Sequence, residues 1–309
     1  MTNSFSWAAF SSGAGVPKRV FVSSEDAGEI AVIDDDELSP EYGDMIARID
    51  LCRDAKEATP CDSEILTGPT TPFTPNASAP HGIRWSKLTQ KIYSIQEGYG
   101  EISEIDPTTF AVTPIFDLAG SPYTSFGISP DGRFLLLRGQ TAVPQATKLG
   151  VIDLGNGNLL TNFDIPALNG TAPGGFKFSP DSKRFYILAA NSALGTVTKK
   201  DRLFAFNSST LTAATPTLTL LREIPLVATG AHSFDVLAQT PTGAPVGTPG
   251  EAKYIVVSNG IDNSLSIINA TDNQVKDTVQ NVGSTVGSVL GGVMIFAPGT
   301  GLAGNQASS

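Results

Sequence analysis

Residues 121–140 read SPYTSFGISPDGRFLLLRGQ, and residues 148–166 read KLGVIDLGNGNLLTNFDIP, with a polar loop between them. Two turn signals punctuate this stretch, Ser129-Pro130-Asp131-Gly132 and Gly155-Asn156-Gly157-Asn158. Pro presets φ and Gly tolerates φ > 0, so each tetrapeptide closes a tight turn. The runs between them, 123–129, 133–137, 149–153 and 159–165, are short, rich in β-branched, aromatic and Leu side chains, and bounded by turn residues. That is the pattern of strands, and it predicts one unit of four antiparallel strands.

The same unit recurs along the chain. Its second strand opens on a basic residue and then runs apolar: Arg19-Val-Phe-Val, Lys91-Ile-Tyr-Ser-Ile, Arg133-Phe-Leu-Leu-Leu, Arg184-Phe-Tyr-Ile-Leu and Lys253-Tyr-Ile-Val-Val. Its third strand ends on Ile33-Asp34, Ile105-Asp106, Ile152-Asp153, Phe206-Asn207 or Ile268-Asn269. An Asp or Asn there caps the next turn by accepting from backbone two residues on. First strands read at 5–11, 81–86, 124–129, 174–179 and 232–237. A sixth, at 292–297, has nothing after it to pair with.

The expected fold is therefore all-β, a β-propeller of four-stranded antiparallel blades with five full repeats and one orphan strand. A single domain is expected over 1–299, with 300–309 as a disordered tail. A closed ring is expected, because an open one exposes strand edges. Closure has three routes: the orphan strand completes the first blade and leaves 5–11 as a tail, the ring closes by stacking, or degenerate blades lie within long loops. Residues 53–79 form an insertion between the first two blades, and 240–252 lengthen a turn in the fifth; both are rich in Pro, Thr and Gly.

Ser129-Pro-Asp-Gly-Arg-Phe-Leu-Leu, Ser179-Pro-Asp-Ser-Lys-Arg-Phe-Tyr and Ala79-Pro-His-Gly-Ile, each ahead of a third strand ending in an apolar-Asp or apolar-Asn pair, resemble the YVTN-repeat β-propeller family. The resemblance covers nearly the whole chain and implies the fold more sharply than a function. Such propellers include lactonase-like enzymes, streptogramin-lyase-like enzymes, the copper-carrying propeller of nitrous oxide reductase and many surface proteins. Seven blades are usual in that family, against five repeats here.

Composition narrows the function. The 309 residues carry a net charge of -10, and no basic cluster occurs, which argues against nucleic acid and anionic membranes as partners. No apolar run approaches the roughly 18 residues of a membrane span. The two cysteines, Cys52 and Cys61, lie in one polar segment. A disulfide between them is expected, closing a short loop and implying an oxidising compartment; the alternative is two free thiols in a cytoplasmic protein. The opening MTNSFSWAAF shows no signal peptide, as a mature extracytoplasmic chain (secreted, periplasmic or cell-surface) also would not.

The strand alignment sets His81, Thr124, Gly174, His232 and Gly292 at one level, each opening an innermost strand. Inter-blade connections and second-to-third-strand loops, including 24–28 and 96–100, share that face. His81 and His232, the chain's two histidines, are thus candidate ligands for copper, zinc or calcium, or candidate acid–base groups, at the mouth of a central channel. A third ligand is sought from Asp26, Glu97 or Tyr99, since a catalytic zinc usually has three protein ligands. Equally, each His packs at a blade junction.

Three residues deeper stand Arg84, Gly127, Lys177, Asp235 and Ile295. Charges in apolar strands are paired or face channel water, so Arg84, Lys177 and Asp235 are either ion-pair partners or contacts for a small polar ligand. The run Asp34-Asp35-Asp36-Glu37 lacks the alternating spacing of a calcium loop and reads as a solvated turn. No nucleophile elbow, metalloprotease helix, P-loop or dinucleotide fingerprint occurs. An extracytoplasmic binding or interaction module is expected, with a ligand site at the central channel mouth, a small molecule or protein as partner and self-association open. A lactonase- or lyase-like enzyme and a structural surface protein are the alternatives.

Overall fold

A computed structural model of the chain describes residues 5–61, 66–70, 74–118, 123–139, 148–157, 159–165, 174–189, 201–213, 215–227, 230–239, 243, 248–260, 262–280 and 282. The first sheet holds β1 (Phe5–Ser11), β2 (Arg19–Ser24), β3 (Glu29–Asp34), β4 (Met45–Asp50) and the short β5 (Leu66–Thr67). The second holds β6 (Pro80–Ser86), β7 (Lys91–Gln96), β8 (Glu101–Ile105) and β9 (Val112–Asp117). The third holds β10 (Tyr123–Ile128), β11 (Phe134–Gly139), β12 (Lys148–Asp153) and β13 (Leu159–Asp164). The fourth holds β14 (Gly174–Phe178), β15 (Arg184–Ala189), β16 (Arg202–Asn207) and β17 (Thr219–Pro225). The fifth holds β18 (Ala231–Gln239), β19 (Glu251–Asn259), β20 (Ser264–Asn269) and β21 (Gln274–Val279).

Strand order follows the sequence in every sheet, and the helical content of the described residues is one 3-10 turn, Asp54–Lys56. No helix among them is long and apolar enough to cross a membrane. The five repeats are thus five antiparallel sheets. Residues 292–297 and 300–309 lie outside the described residues. The pairing of β1 with β2 makes 5–11 the first strand of the first sheet, so it is not a tail.

The chain forms two compact units. One comprises Met1–Ile128, Gly132–Arg138 and Leu154–Leu159, the other Ser129–Asp131, Gly139–Asp153 and Leu160–Ser309. In the first unit, Phe21, Ile30, Ile49, Ile83, Ile92 and Ile105 of the first two sheets form one buried cluster. In the second, Tyr186, Leu203, Phe234, Ile255, Val257 and Ile268 do the same for the fourth and fifth. Second strands such as β7 and β15 are buried on both faces, whereas the outermost strands β17 and β21 are largely exposed. Within each unit neighbouring sheets therefore pack face to face, and β17 and β21 are left to solvent.

The turns follow the sequence chemistry. Asp34 Oδ1 accepts from Asp36 N (2.9 Å), Asp106 Oδ1 from Thr108 N (2.8 Å), Asn207 Oδ1 from Ser209 N (2.9 Å) and Asn269 Oδ1 from Thr271 N (2.8 Å). Ser179 accepts from Arg184 N through Oγ (2.9 Å) and donates the same hydroxyl to Asp181 (2.5 Å), closing the Ser-Pro-Asp turn. The basic residue that opens the second strand also has a structural role. Arg19 donates to the Pro107 carbonyl of the next sheet, and Arg184 donates to Ala270 O at 2.8 Å. Pro107 and Ala270 each follow the Asp or Asn that ends the neighbouring sheet's third strand.

Lys253 does not belong to that set. Tyr254 pairs with Asn269, as Arg184 pairs with Asn207 and Arg19 with Asp34, so Tyr254 holds the position read from sequence as Lys253. The hairpin of β18 and β19 is longer than the others and carries a register shift between Leu237 and Ala238. The basic residue is displaced by one.

Burial raises the Asp106 carboxyl, but the Lys91 ammonium at 2.5 Å and the two backbone N–H donors outweigh it and hold the group well below the usual carboxylate range. Its stabilisation is thus present above the ordinary carboxylate pKa and lost as pH falls toward the depressed one. Asp106→Ala should cost about 1 kcal/mol in urea titrations at neutral pH. Asp106→Asn, which keeps the turn acceptor, should cost less, and its gap from the parent should close in acid. Equal losses in both variants would show that the turn bond contributes nothing.

Candidate functional site

The return of the 53–79 insertion organises one corner of the first unit. Asn76 Nδ2 donates to Gly28 O (3.0 Å) and Asp50 Oδ1 (2.8 Å). Glu97 N donates to Ala79 O (3.0 Å) and Gly98 N to Ser78 O (3.1 Å). The β2–β3 turn and the β7–β8 turn are thereby clamped to one segment, 76–79, which runs straight into β6. The fit is close. Gly28 adopts φ 72°, and a Cβ there would stand 2.1 Å from Asn76 Oδ1; at Gly98 a Cβ would stand 1.8 Å from Ala77 O. Neither turn accepts a side chain at that point.

The insertion itself is stapled. Cys52 and Cys61 form a disulfide across a sequence separation of 9 residues. Asp50 Oδ1 accepts from Cys52 N (2.9 Å) and Asp54 Oδ1 from Cys61 N (2.7 Å), so carboxylates order the backbone on both sides of the bond. Glu57 Oε1 then joins the insertion to the second sheet, accepting from Tyr99 Oη (2.5 Å) and Ala77 N (2.7 Å). Burial, followed by the bond to Glu57, pushes the Tyr99 hydroxyl well above its ordinary pKa. Tyr99 therefore serves the clamp.

On this base three side chains meet. His81 is the extra residue of a β-bulge, lying between the pairs Pro80–Gln96 and Gly82–Ile95. A bulge re-aims the side chain it carries. His81 Nδ1 lies 3.9 Å from Glu97 Oε2, and Glu25 completes a cluster whose ligand atoms all lie within 4.8 Å of one another. Glu25 comes from the β2–β3 turn and Glu97 from the β7–β8 turn. Burial pushes the Glu97 carboxyl up, opposed by the pull of His81 and aided by the smaller effect of the Glu25 charge. Two carboxylates and an imidazole at this spacing can share a proton or hold a cation.

Of the third ligands expected, Glu97 is present. Glu25 stands where Asp26 was sought, one residue away in the same turn. His232 occupies the matching bulge of β18, between Ala231–Asn259 and Ser233–Ser258, in the second unit; its side chain lies outside the described residues.

The deeper level has a different character. Arg84, Lys177 and Asp235 pair across to Tyr93, Tyr186 and Val256, which are equivalent positions of their sheets. Lys177 Nζ donates to Asp235 Oδ1 at 2.9 Å, with side-chain exposures of 17% and 11%. Arg84 lies over the Phe126 ring, 5.5 Å from its centroid, and donates to Ile83 O (2.7 Å). Burial lowers its pKa to about 10. Arg138 in β11, which the sequence did not single out, is buried in the same way. The Asp34–Glu37 run folds as a capped turn, with Asp36 Oδ1 accepting from Leu38 N (3.2 Å).

No family model matches the sequence, and no curated protein matches it either. Solved structures do resemble it in fold. The Cps50 (Swd1) β-propeller domain of Myceliophteria thermophila superposes with a TM-score of 0.54 at 11% identity, over 88% of this chain and 71% of that one. The fold is a β-propeller. A putative 6-phosphogluconolactonase of Bacteroides fragilis gives 0.52 at 16% identity, over 85% of this chain and 67% of that one. The periplasmic gluconolactonase PpgL of Pseudomonas aeruginosa gives 0.52 at 16% identity, over 88% and 68%. The chain thus spans about two thirds of the length of these three structures.

Removing the disulfide in a Cys52→Ser/Cys61→Ser variant should cost ~2–3 kcal/mol for a loop of this size. Hydrogen exchange at Ala77 and Gly98 should rise with it. Unchanged exchange there would mean that the clamp holds without the staple.

Proposed function

We propose that the protein is an extracytoplasmic binding module, a propeller of the YVTN-like kind its repeats resemble, with its ligand contacts around Glu25, His81 and Glu97. One observation carries this reading: three chemically active side chains converge from three separate elements, at an end of the sheets built up by a stapled insertion. Binding residues concentrate on loops that a rigid scaffold positions. Arg84, Lys177 and Asp235 belong to the framework in this reading, because the ion pair and the ring contact engage their charges within the protein. The disulfide supports an oxidising compartment, and one neighbour of similar fold is a periplasmic protein.

A second reading is an enzyme of the lactonase kind. It draws support from lactonases among the structures of similar fold and from the His81–Glu97 pair, which has the composition of an acid–base couple. The identities of 16% support the fold and leave the chemistry to the site.

The two readings separate in one experiment. The protein is screened by thermal shift against sugars, sugar acids and their lactones, and lactone consumption is followed by pH-stat. A ligand at 100 times its Kd should stabilise the parent by about 2.7 kcal/mol. His81→Ala and Glu97→Gln should lose that shift and keep their ligand-free melting temperature within a few degrees. Lactone hydrolysis above the spontaneous rate, abolished by either substitution, would establish the enzyme and overturn the binding module.

A further inference from the structure

We propose that Glu25, His81 and Glu97 form a site for one divalent first-row transition-metal ion of the zinc type, and that this ion is what the ligand of the proposed binding module meets. The inference builds on that module for its purpose and on geometry for its substance.

The donor set is one imidazole nitrogen and two carboxylates. Imidazole and carboxylate together suit zinc and its first-row neighbours. Calcium prefers six to eight oxygen ligands and takes no nitrogen by choice. Copper, zinc and calcium are therefore not equal candidates at His81, and calcium is the poorest.

The spacing agrees. Bonds of about 2.0–2.2 Å to a tetrahedral zinc put its ligand atoms roughly 3.4 Å apart. The His81–Glu97 distance is 3.9 Å, and all three atoms lie within 4.8 Å. Closing the remainder takes a rotation of two Glu side chains on turns whose backbones are already fixed. Neither turn has to move, since residues 76–79 clamp both.

Electrostatics points the same way. Two carboxylates facing each other across a few ångströms repel, and a dication bound between them removes that repulsion. Its charge is then cancelled by the two Glu, so the open coordination positions suit a neutral oxygen donor such as a hydroxyl or carbonyl group. His81 and Glu97 are about one-third exposed, at 34% and 38%, which leaves room for that donor. Three protein ligands with a free fourth position are the pattern of zinc sites that meet a substrate.

The test uses tag-free, full-length protein dialysed against chelator and then titrated with zinc chloride by calorimetry. One equivalent should bind. His81→Ala, Glu25→Gln and Glu97→Gln should each weaken binding at least tenfold, while the melting temperature measured in chelator stays near the parent's. His232→Ala should bind zinc as the parent does, and calcium chloride should bind at least tenfold more weakly than zinc. The proposal falls if the parent binds no zinc, if the three variants bind it unchanged, or if His232→Ala loses it equally. Should zinc fail to bind while a sugar still stabilises the chelated protein, the metal site is wrong and the binding module stands. Should zinc bind and no ligand stabilise the loaded protein, the metal site stands and the module is wrong.

Discussion

The guanidinium bonds between neighbouring sheets supply something that the hydrophobic cores do not. Apolar burial is non-directional, and a pair of twisted sheet faces can slide or rotate with little change in area. Arg19 reaching the carbonyl of Pro107 and Arg184 reaching that of Ala270 are directional, and each ends on the residue just beyond an Asx-capped strand. The Asx bond fixes the turn, the turn fixes the carbonyl, and the carbonyl fixes where the next sheet sits. Arg19 is also held from below by the Phe110 ring, 4.6 Å from its centroid, so its side chain is placed by packing as well as by charge. At Arg19 and Arg184 the repeat pattern of basic residue, apolar run and terminal Asp or Asn is the written form of this mechanical device.

Once neighbouring sheets are in register, the ends of their innermost strands acquire defined neighbours. Within the first unit the β2–β3 turn, the opening of β6 and the β7–β8 turn all arrive at one end. The connecting segment is then close enough to bond both turns at once. The candidate site follows from that convergence. Glu25 and Glu97 lie far apart in sequence, and neither has a motif around it. They meet because each is the first residue after a second strand in successive sheets, and His81 meets them because the bulge turns it toward the same end.

This explains what could be read in the chain and what could not. Turn tetrapeptides and strand periodicity are local, so the sheets, their order and the Asx caps were legible. Topology alone also put 24–28, 96–100 and residue 81 on one face, which is how Glu97 was reachable. The choice of Glu25 over Asp26 was not legible, because it depends on how a four-residue turn leaves its strand, here with Gly28 at φ 72° under the Asn76 side chain. The misplacement of Lys253 has a similar origin. A basic residue before an apolar run looks the same whether or not the hairpin has shifted by one, and only the pairing of Tyr254 with Asn269 reveals the shift.

Two levels of the inner strands carry charge, and they face opposite physical demands. At the level of Arg84, Lys177 and Asp235 the strand is flanked by packed sheets, and a bare charge there costs several kcal/mol, roughly. The chain compensates internally, by an ion pair between β14 and β18 and by a ring beneath a guanidinium. At the bulge level the strand has just entered the sheet and one side is open. There Glu25, His81 and Glu97 stay partly solvated, so no interior partner is required to make them tolerable. Charge at the inner level is consumed by folding, whereas charge at the bulge level remains available to something outside the chain. Under the proposed function the identity of each donor at the outer level matters, because what is matched there is a ligand and not another residue.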